Sequence, residues 1–376
     1  MSVRKLNSII LGLLPVIMIY RVPFTKFGFS TLMVAYLAFF SILGLQENGW
    51  KLRLEYSLSI FFLYLISRNI GNGLHPLFII LSFIVILGSR HDSFNISIAL
   101  RTIELVALFI SAIVIIQTVF HYVLGINLRT LYDSFILDEY AGILGYRIIG
   151  GIFRPAGLFL EPAHFAQYVI IALLQNIRKK NLSVPRLLVL SIAMLCSTSG
   201  IGILLMIAAY AYCLFIRTKE INRKRRMQYF IIFAVGMLIV VIIASKVPFI
   251  QLTTKRIFSQ DESGYNAIAG RSVHWQHTVQ TLSGLQLFFG VGPKNFRVTG
   301  FITGLNEIIY YYGYVGLGLM LISILDPMIK RFKEKSWHGI LCIVYLGLII
   351  TSDVVGFIML TFWFSLFASQ NIKENY

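Results

Sequence analysis

Long apolar runs are the feature that most constrains how this chain of 376 residues can fold. Runs of about 17–25 residues recur along it, and each is long enough to cross the hydrocarbon core of a bilayer. Within lipid, only helices and closed barrels satisfy their own backbone polar groups. Barrel strands alternate apolar and polar residues, whereas these runs are continuously apolar. The sequence therefore predicts an all-α integral membrane protein.

The apolar runs divide into about 12 transmembrane helices. No internal repeat separates them, so we expect a single transmembrane domain over residues 1–376, with two long loops at about 125–161 and about 246–303. The first run lacks a small-residue cleavage site, which favours a first helix over a removed signal peptide. The predicted helix cores are 6–20, 27–45, 54–67, 74–89, 102–124, 162–177, 184–198, 200–216, 228–245, 304–325, 338–351 and 354–370.

The positions of the basic residues predict how these helices are oriented across the membrane. The formal net charge is +17, but the basic residues lie mostly between apolar runs, not on one soluble face, which argues against a nucleic-acid partner. With the N-terminus in the cytoplasm, 21 of the 33 Lys and Arg residues lie on the cytoplasmic side. Nine of the other 12 lie in the two long loops, which follow the positive-inside rule weakly. We expect both termini in the cytoplasm and both long loops outside.

The first long loop ends in a group of residues suited to anion binding. Arg154 precedes Glu161 and Pro162, and proline favours the first position of a helix. The free N–H groups and the dipole of a helix N-terminus attract anions. Arginine adds forked hydrogen bonds to phosphate. The alternative is that Arg154 only snorkels at the membrane interface beside a structural helix cap.

The second long loop carries basic residues and glycines. Lys255 and Arg256 are followed by Arg271 and Trp275, which are one helical turn apart. The pair Gly290 and Gly292 is too short for a nucleotide fingerprint and indicates a tight turn. His274 and His277 have metal-ligand spacing but no clustered carboxylate. Cys196, Cys213 and Cys342 lie in apolar segments without paired spacing. We expect no metal and no cofactor.

An ordered set of motifs in these segments resembles the superfamily of O-antigen polymerases (Wzy) and O-antigen ligases. The resemblance covers about residues 150–320 together with the helix layout. The motifs are Arg154-x-x-Gly157-x-Phe159-x-Glu161-Pro162-x-x-Phe165-Ala166, Gly270-Arg271-x-x-x-Trp275, Phe289-Gly290-x-Gly292-x-x-x-Phe296 and Tyr312-Gly313-Tyr314-Val315-Gly316.

The resemblance to Wzy implies a metal-independent, GT-C-like membrane glycosyltransferase in the bacterial inner membrane. Its substrates would be oligosaccharides linked to undecaprenyl pyrophosphate, joined at the periplasmic or extracellular face during synthesis of O-antigen, capsule or exopolysaccharide. Membrane lipid and a chain-length regulator protein are further expected partners. Arg154 and Arg271 would contact the pyrophosphate, with Arg256 and Arg147 as further candidates.

The acceptor hydroxyl needs a general base or a hydrogen-bond acceptor. Glu161 is the first candidate, Glu307 the second and His164 the third. Glu161 could instead be a carboxylate stabilised by the helix N-terminus, and both interpretations stay open. Ligases carry a His-Asn pair before the late glycine helix, whereas this chain has Asn306 without the histidine. That departure favours a polymerase over a ligase that transfers glycan to a lipid A core.

Two other function classes fit less well. A transporter of lipid-linked oligosaccharide would favour a pair of Gly- or Pro-broken helices in matching halves and charges along a path. The sequence shows no such halves, and Glu104, Asp326 and Asp353 lie near helix ends. A structural scaffold would not explain the basic residues of the two long loops.

Overall fold

The fold is mostly helical in the part of the chain that the structure describes. That structure is a computed structural model, and it describes residues 2–25, 28–48, 56–88, 94–126, 128, 135–137, 148–149, 152–179, 183–217, 227, 251, 280–293, 303–333, 338–352 and 363.

Among the described residues, ten α-helices coincide in position with predicted helices, and one short helix lies in the second predicted loop. The predicted helices 228–245 and 354–370 fall outside the described residues, apart from the single helical residue Trp363. The helices are α1 (Val3–Ile17), α2 (Phe29–Asn48), α3 (Tyr56–Asn69), α4 (Leu74–Gly88), α5 (Ile96–Leu124), α6 (Pro162–Arg178), α7 (Val184–Cys196), α8 (Gly200–Arg217), α9 (Leu285–Phe289), α10 (Gly304–Lys333) and α11 (His338–Thr351).

Two predicted helix boundaries were wrong by more than a turn. Helix α5 begins at Ile96 and not at 102, because Asn95 caps it: the Asn95 side-chain oxygen accepts the backbone N–H of Ser97 at 2.9 Å. Helix α10 continues to Lys333 and not 325. An exposed ion pair one turn apart, Lys330 Nζ to Asp326 Oδ2 at 2.7 Å, lies in this extension.

Within the part of the chain that the structure describes, two helices are long and apolar enough to cross a membrane: α5 and residues 304–330 of α10. Shorter apolar stretches occur in α2, α4, α7, α8 and α11. The number of membrane crossings therefore stays a prediction.

The chain forms two compact units, with the boundary inside α5. Unit 1 comprises residues 1–102 and 270–375, and unit 2 comprises residues 103–269. The expectation of a single domain stays a prediction.

Unit 1 is organised around α10, which packs against α3, α9 and α11, while α4 packs against α2 and α3. Gly12 lets α1 approach the first turns of α5, because a Cβ there would lie 2.9 Å from the Ala99 carbonyl oxygen. The Trp363 indole N–H donates to the Leu11 carbonyl at 2.9 Å within the core.

Unit 2 is organised around α6, which packs against α7 and α8 and is buried along nearly its whole length. A short antiparallel pair, β1 (Ile148–Ile149) and β2 (Ile152–Phe153), leads into it. The all-α prediction did not include this pair. Each strand has only two residues, which is too short to produce a recognisable strand pattern in the sequence. An isolated antiparallel bridge joins Arg21 to Gly28 in unit 1.

Candidate functional site

Helix α6 begins as the sequence predicts, with Pro162 at its first position and Glu161 at the N-cap. Glu161 has extended backbone angles (φ −131°, ψ 152°), and its side chain makes no cap hydrogen bond. No acidic residue lies in the first helical turn. The positive end of the helix dipole is therefore not neutralised by a side chain of its own first turn, and the Glu161 carboxylate is not engaged in capping.

The segment before α6 is folded by a tight turn that requires glycine. The Phe159 N–H donates to the Ala156 carbonyl at 3.0 Å, and Gly157 within this turn has a φ of +60°. Its N–H donates to the Gln117 side-chain oxygen at 3.0 Å. A Cβ at Gly157 would lie 2.5 Å from Ile110 Cγ2, so both the backbone angle and the space exclude a side chain.

This turn places the two charged residues of the motif at the surface. Between Phe153 and Pro162, the partly exposed residues are Arg154, Leu158 and Glu161, and the other seven are buried. Phe153 itself is fixed by stacking on His121, with ring centroids 4.2 Å apart. The local fold thus buries the apolar part of the motif and leaves the residues Arg154 and Glu161 partly exposed, although the Arg154 Nε atom itself is buried.

A second helix begins beside the start of α6. A Cβ added at Gly202 would lie 3.0 Å from Ala166 Cβ, so the first turn of α8 is in close contact with the second turn of α6. Ser199 precedes α8, and its hydroxyl accepts the Gly202 N–H at 3.3 Å. Two helix N-termini, each with a positive dipole end, therefore lie side by side. The small residues Ala166 and Gly202 permit this approach.

The turn between α7 and α8 holds a strained, buried threonine. Thr198 has a φ of +53° and is 6% exposed. Its hydroxyl oxygen is buried and makes no hydrogen bond within the structure described. Positive φ is costly for a β-branched residue, and buried polar atoms normally have partners. Such strain is a recurrent property of ligand-binding positions.

The sequence did not predict the α8 start or Thr198 as parts of a site. A signal was present, because Ser197, Thr198 and Ser199 before Gly200 form a helix-cap pattern. That pattern locates a helix start but cannot say which other helix start lies next to it.

The remaining predicted site residues have varied positions. His164 is 2% exposed, in the first turn of the buried helix α6. Glu307 is partly exposed in the first turn of α10 in unit 1, next to the buried Asn306. Arg147, Arg256 and Arg271 lie outside the described residues, as do His274, Trp275 and His277.

The two late glycine motifs, around Gly290 and around Gly313, are in backbone contact within unit 1. Gly290 and Gly313 have φ values of +72° and +68°. A Cβ at Gly290 would lie 2.3 Å from the Tyr311 carbonyl carbon, and one at Gly313 would lie 2.2 Å from the Phe288 carbonyl oxygen. The turn predicted at Gly290 is present, and the glycines additionally allow two backbones to touch.

The predicted intramembrane charge Glu104 is paired. It is buried in α5, and Lys179 Nζ contacts both of its carboxylate oxygens at 2.6 Å. Arg186 Nη1 contacts one of them at 2.5 Å. Glu104 lies in the third turn of α5, Lys179 at the C-terminal end of α6 and Arg186 in the first turn of α7, whereas Arg154 precedes the opposite end of α6.

Among the described residues, no group of three or more His, Cys, Asp or Glu side chains is placed to hold a metal ion.

No protein-family model matches the chain, and no curated protein matches it in sequence.

Proposed function

We propose that this chain is a polytopic inner-membrane polysaccharide polymerase of the Wzy type, with about 12 transmembrane helices. It would join oligosaccharide repeat units carried on undecaprenyl pyrophosphate at the outer face of the membrane. The proposal rests on the ordered motifs of the sequence, on the two described helices that could cross a membrane and on the two neighbouring helix N-termini of unit 2.

The paired N-termini of α6 and α8 are the observation that carries the proposal. Cleavage of a glycosyl pyrophosphate develops negative charge on the leaving group, and fixed cations and N–H dipoles stabilise that charge in the transition state. Two helix N-termini in contact, with Arg154 partly exposed in the segment that leads into one of them, suit a pyrophosphate. Arg271 lies outside the described residues, and its role as a second pyrophosphate contact stays an expectation from the sequence resemblance.

Glu161 is the candidate that the described geometry favours as general base. Its carboxylate is partly exposed, lies at the start of α6 and makes no cap hydrogen bond. His164 is buried, so a sugar hydroxyl would reach it only after a rearrangement. In this proposal Glu161 accepts the proton of the acceptor hydroxyl while that oxygen attacks the anomeric carbon and the pyrophosphate leaves.

The transporter alternative has one observation in its favour. Helix α10 is broken at Gly313, which has non-helical backbone angles. The described helices contain no second break of this kind in a matching half, and the buried Glu104 is paired with Lys179 and Arg186. A single anion site at one face fits group transfer better than a path across the bilayer.

The test is complementation of a strain in which the gene is deleted. The deletion should leave single repeat units on their acceptor, and the wild-type gene should restore long chains. Arg154→Ala should abolish them at matched protein level, and Arg154→Lys should restore them poorly, because lysine lacks the guanidinium fork.

Arg101→Ala is the matched control, because Arg101 is an exposed arginine at the predicted cytoplasmic side. It should retain long chains. Wild-type ladders from the Arg154→Ala variant would refute the pyrophosphate role of this arginine.

A further inference from the structure

The short helix α9 and the turn after it are pinned to the break in α10. The Val291 N–H donates to the Tyr310 carbonyl at 2.9 Å, and the Gly292 N–H donates to the Tyr311 carbonyl at 3.0 Å. The Tyr64 hydroxyl of α3 donates to the Tyr312 carbonyl at 2.8 Å. All three carbonyls that directly precede the break at Gly313 therefore receive a hydrogen bond from outside α10.

The backbone N–H and carbonyl of Gly290, in the turn after α9, also have hydrogen-bond partners. The Gly290 N–H donates to the Gln286 carbonyl at 2.8 Å. The Gly290 carbonyl accepts a hydrogen bond from Arg68 Nη2 at 3.0 Å, and Arg68 lies in the last turn of α3. Irregular backbone at membrane depth is tolerated only where protein or water satisfies it. An arginine at such depth pairs with carbonyls in this way.

The length of α10 gives the depth at which the break at Gly313 lies in the membrane. Lys330 follows Gly313 by 17 residues, which at about 1.5 Å per residue is about 26 Å. The hydrocarbon core is about 30 Å thick. If the charged group Asp326–Lys330 marks the cytoplasmic edge, the break lies inside the outer part of the hydrocarbon core. Helix α9 contacts the break directly, through Gly313 and Phe288.

The outward side of α9 is apolar. Leu285, Phe288 and Phe289, at i, i+3 and i+4 on one helical face, are 75%, 57% and 44% exposed. On α10 the exposed Ile322 and Ile329 are large and apolar as well. We propose that residues 285–292 form a re-entrant element that enters the outer leaflet, with Leu285, Phe288 and Phe289 in contact with lipid acyl chains. The inference rests on the membrane assignment of α10 within the proposed function, not on the glycosyl transfer.

The experiment measures the surroundings of single labelled positions in the full chain. An environment-sensitive fluorophore is attached to a cysteine introduced by Phe288→Cys or, separately, by Leu285→Cys, in a background carrying Cys196→Ala, Cys213→Ala and Cys342→Ala. The protein is reconstituted in phosphatidylcholine vesicles, with or without lipids that carry a nitroxide on the acyl chain. Both labels should lose fluorescence to the acyl-chain nitroxide and be protected from aqueous iodide.

Two control positions make the result decisive. Ile322→Cys marks the lipid-facing middle of α10, and Thr25→Cys marks the exposed turn between α1 and α2. Quenching by nitroxide at 322, together with iodide access and no nitroxide quenching at 285 and 288, would overturn the re-entrant element and leave the proposed function standing. Loss of nitroxide quenching at 322 as well would overturn the membrane assignment itself.

Discussion

Replacing Gly157 by alanine tests whether the turn of the Arg154 segment is built as described. Gly125 is a matched control in the same unit, because its φ is +67° and a Cβ there would meet nothing within 4 Å. Gly125→Ala should therefore lower the free energy of unfolding by only about 1–2 kcal/mol, the cost of placing alanine at a positive φ. Gly157→Ala adds a contact of 2.5 Å with Ile110 Cγ2 and one of 3.2 Å with Val114 Cγ2.

The two β-branched neighbours cannot swing away, because Ile and Val in a helix have one strongly preferred rotamer. Overpacking of a core costs about 1–3 kcal/mol. For a unit of this size each kcal/mol lowers Tm by about 2–4 °C, so the expected excess over the control is about 2–12 °C. The assay is thermal unfolding of the purified protein in detergent, followed by intrinsic fluorescence.

A double variant isolates the contact. In an Ile110→Ala background, the added cost of Gly157→Ala should shrink, since the methyl group that it meets is gone. Equal Tm values for Gly157→Ala and Gly125→Ala, or full additivity with Ile110→Ala, would refute the close packing of this turn on α5.

Three further predictions concern strain, charge and metal. Thr198→Gly should raise the free energy of unfolding by about 1 kcal/mol, because glycine relieves the strain of the positive φ. It should nevertheless lower polymer yield at matched protein level, whereas Thr198→Ser, which keeps the hydroxyl, should keep the yield. Higher yield from Thr198→Gly would remove the residue from the site. Glu104→Gln should destabilise the protein by about 1–3 kcal/mol without changing chain length, because Lys179 and Arg186 lose a buried partner; an unchanged Tm would contradict that pairing. Polymerisation by purified protein should survive EDTA, whereas loss that Mg²⁺ or Mn²⁺ restores would overturn metal independence.

The helix positions were predictable because they follow from local patterning. A continuous apolar run bounded by charges identifies a helix, whatever it packs against. The apolar run predicts the start of α5 six residues too late, because the local signal for that start is the cap residue Asn95. The cap residue, not the first apolar residue, marks the boundary.

The tertiary contacts of both units depend on neighbours distant in the chain. Gly313 lies in an apolar stretch that reads as continuous helix, and only its contact with Phe288 explains the break. The charge pattern predicts Arg68 to be one of the three outer basic residues that lie in short loops, and only the structure shows that it donates to the Gly290 carbonyl. The contact of Ala166 with Gly202 is likewise tertiary, so a single sequence could predict one helix N-terminus at the site but not the second.

The topology beneath the proposal has a direct check. Reporter fusions at Asp138 and Gly264, both outside the described residues, should behave as exported, because the charge bias of the short loops places both long loops outside. A cytoplasmic result at either position would require a different arrangement of the helices.

The central claim is that this chain makes glycosidic bonds between lipid-linked repeat units, and reconstitution measures it most directly. Purified protein in vesicles is given only its cognate oligosaccharide repeat unit on undecaprenyl pyrophosphate, and the products are separated by size. The account predicts a ladder of chains that stay on the carrier lipid, and no ladder with Arg154→Ala. Single repeat units left unchanged by the wild-type protein, or merely moved across the vesicle membrane, would contradict it.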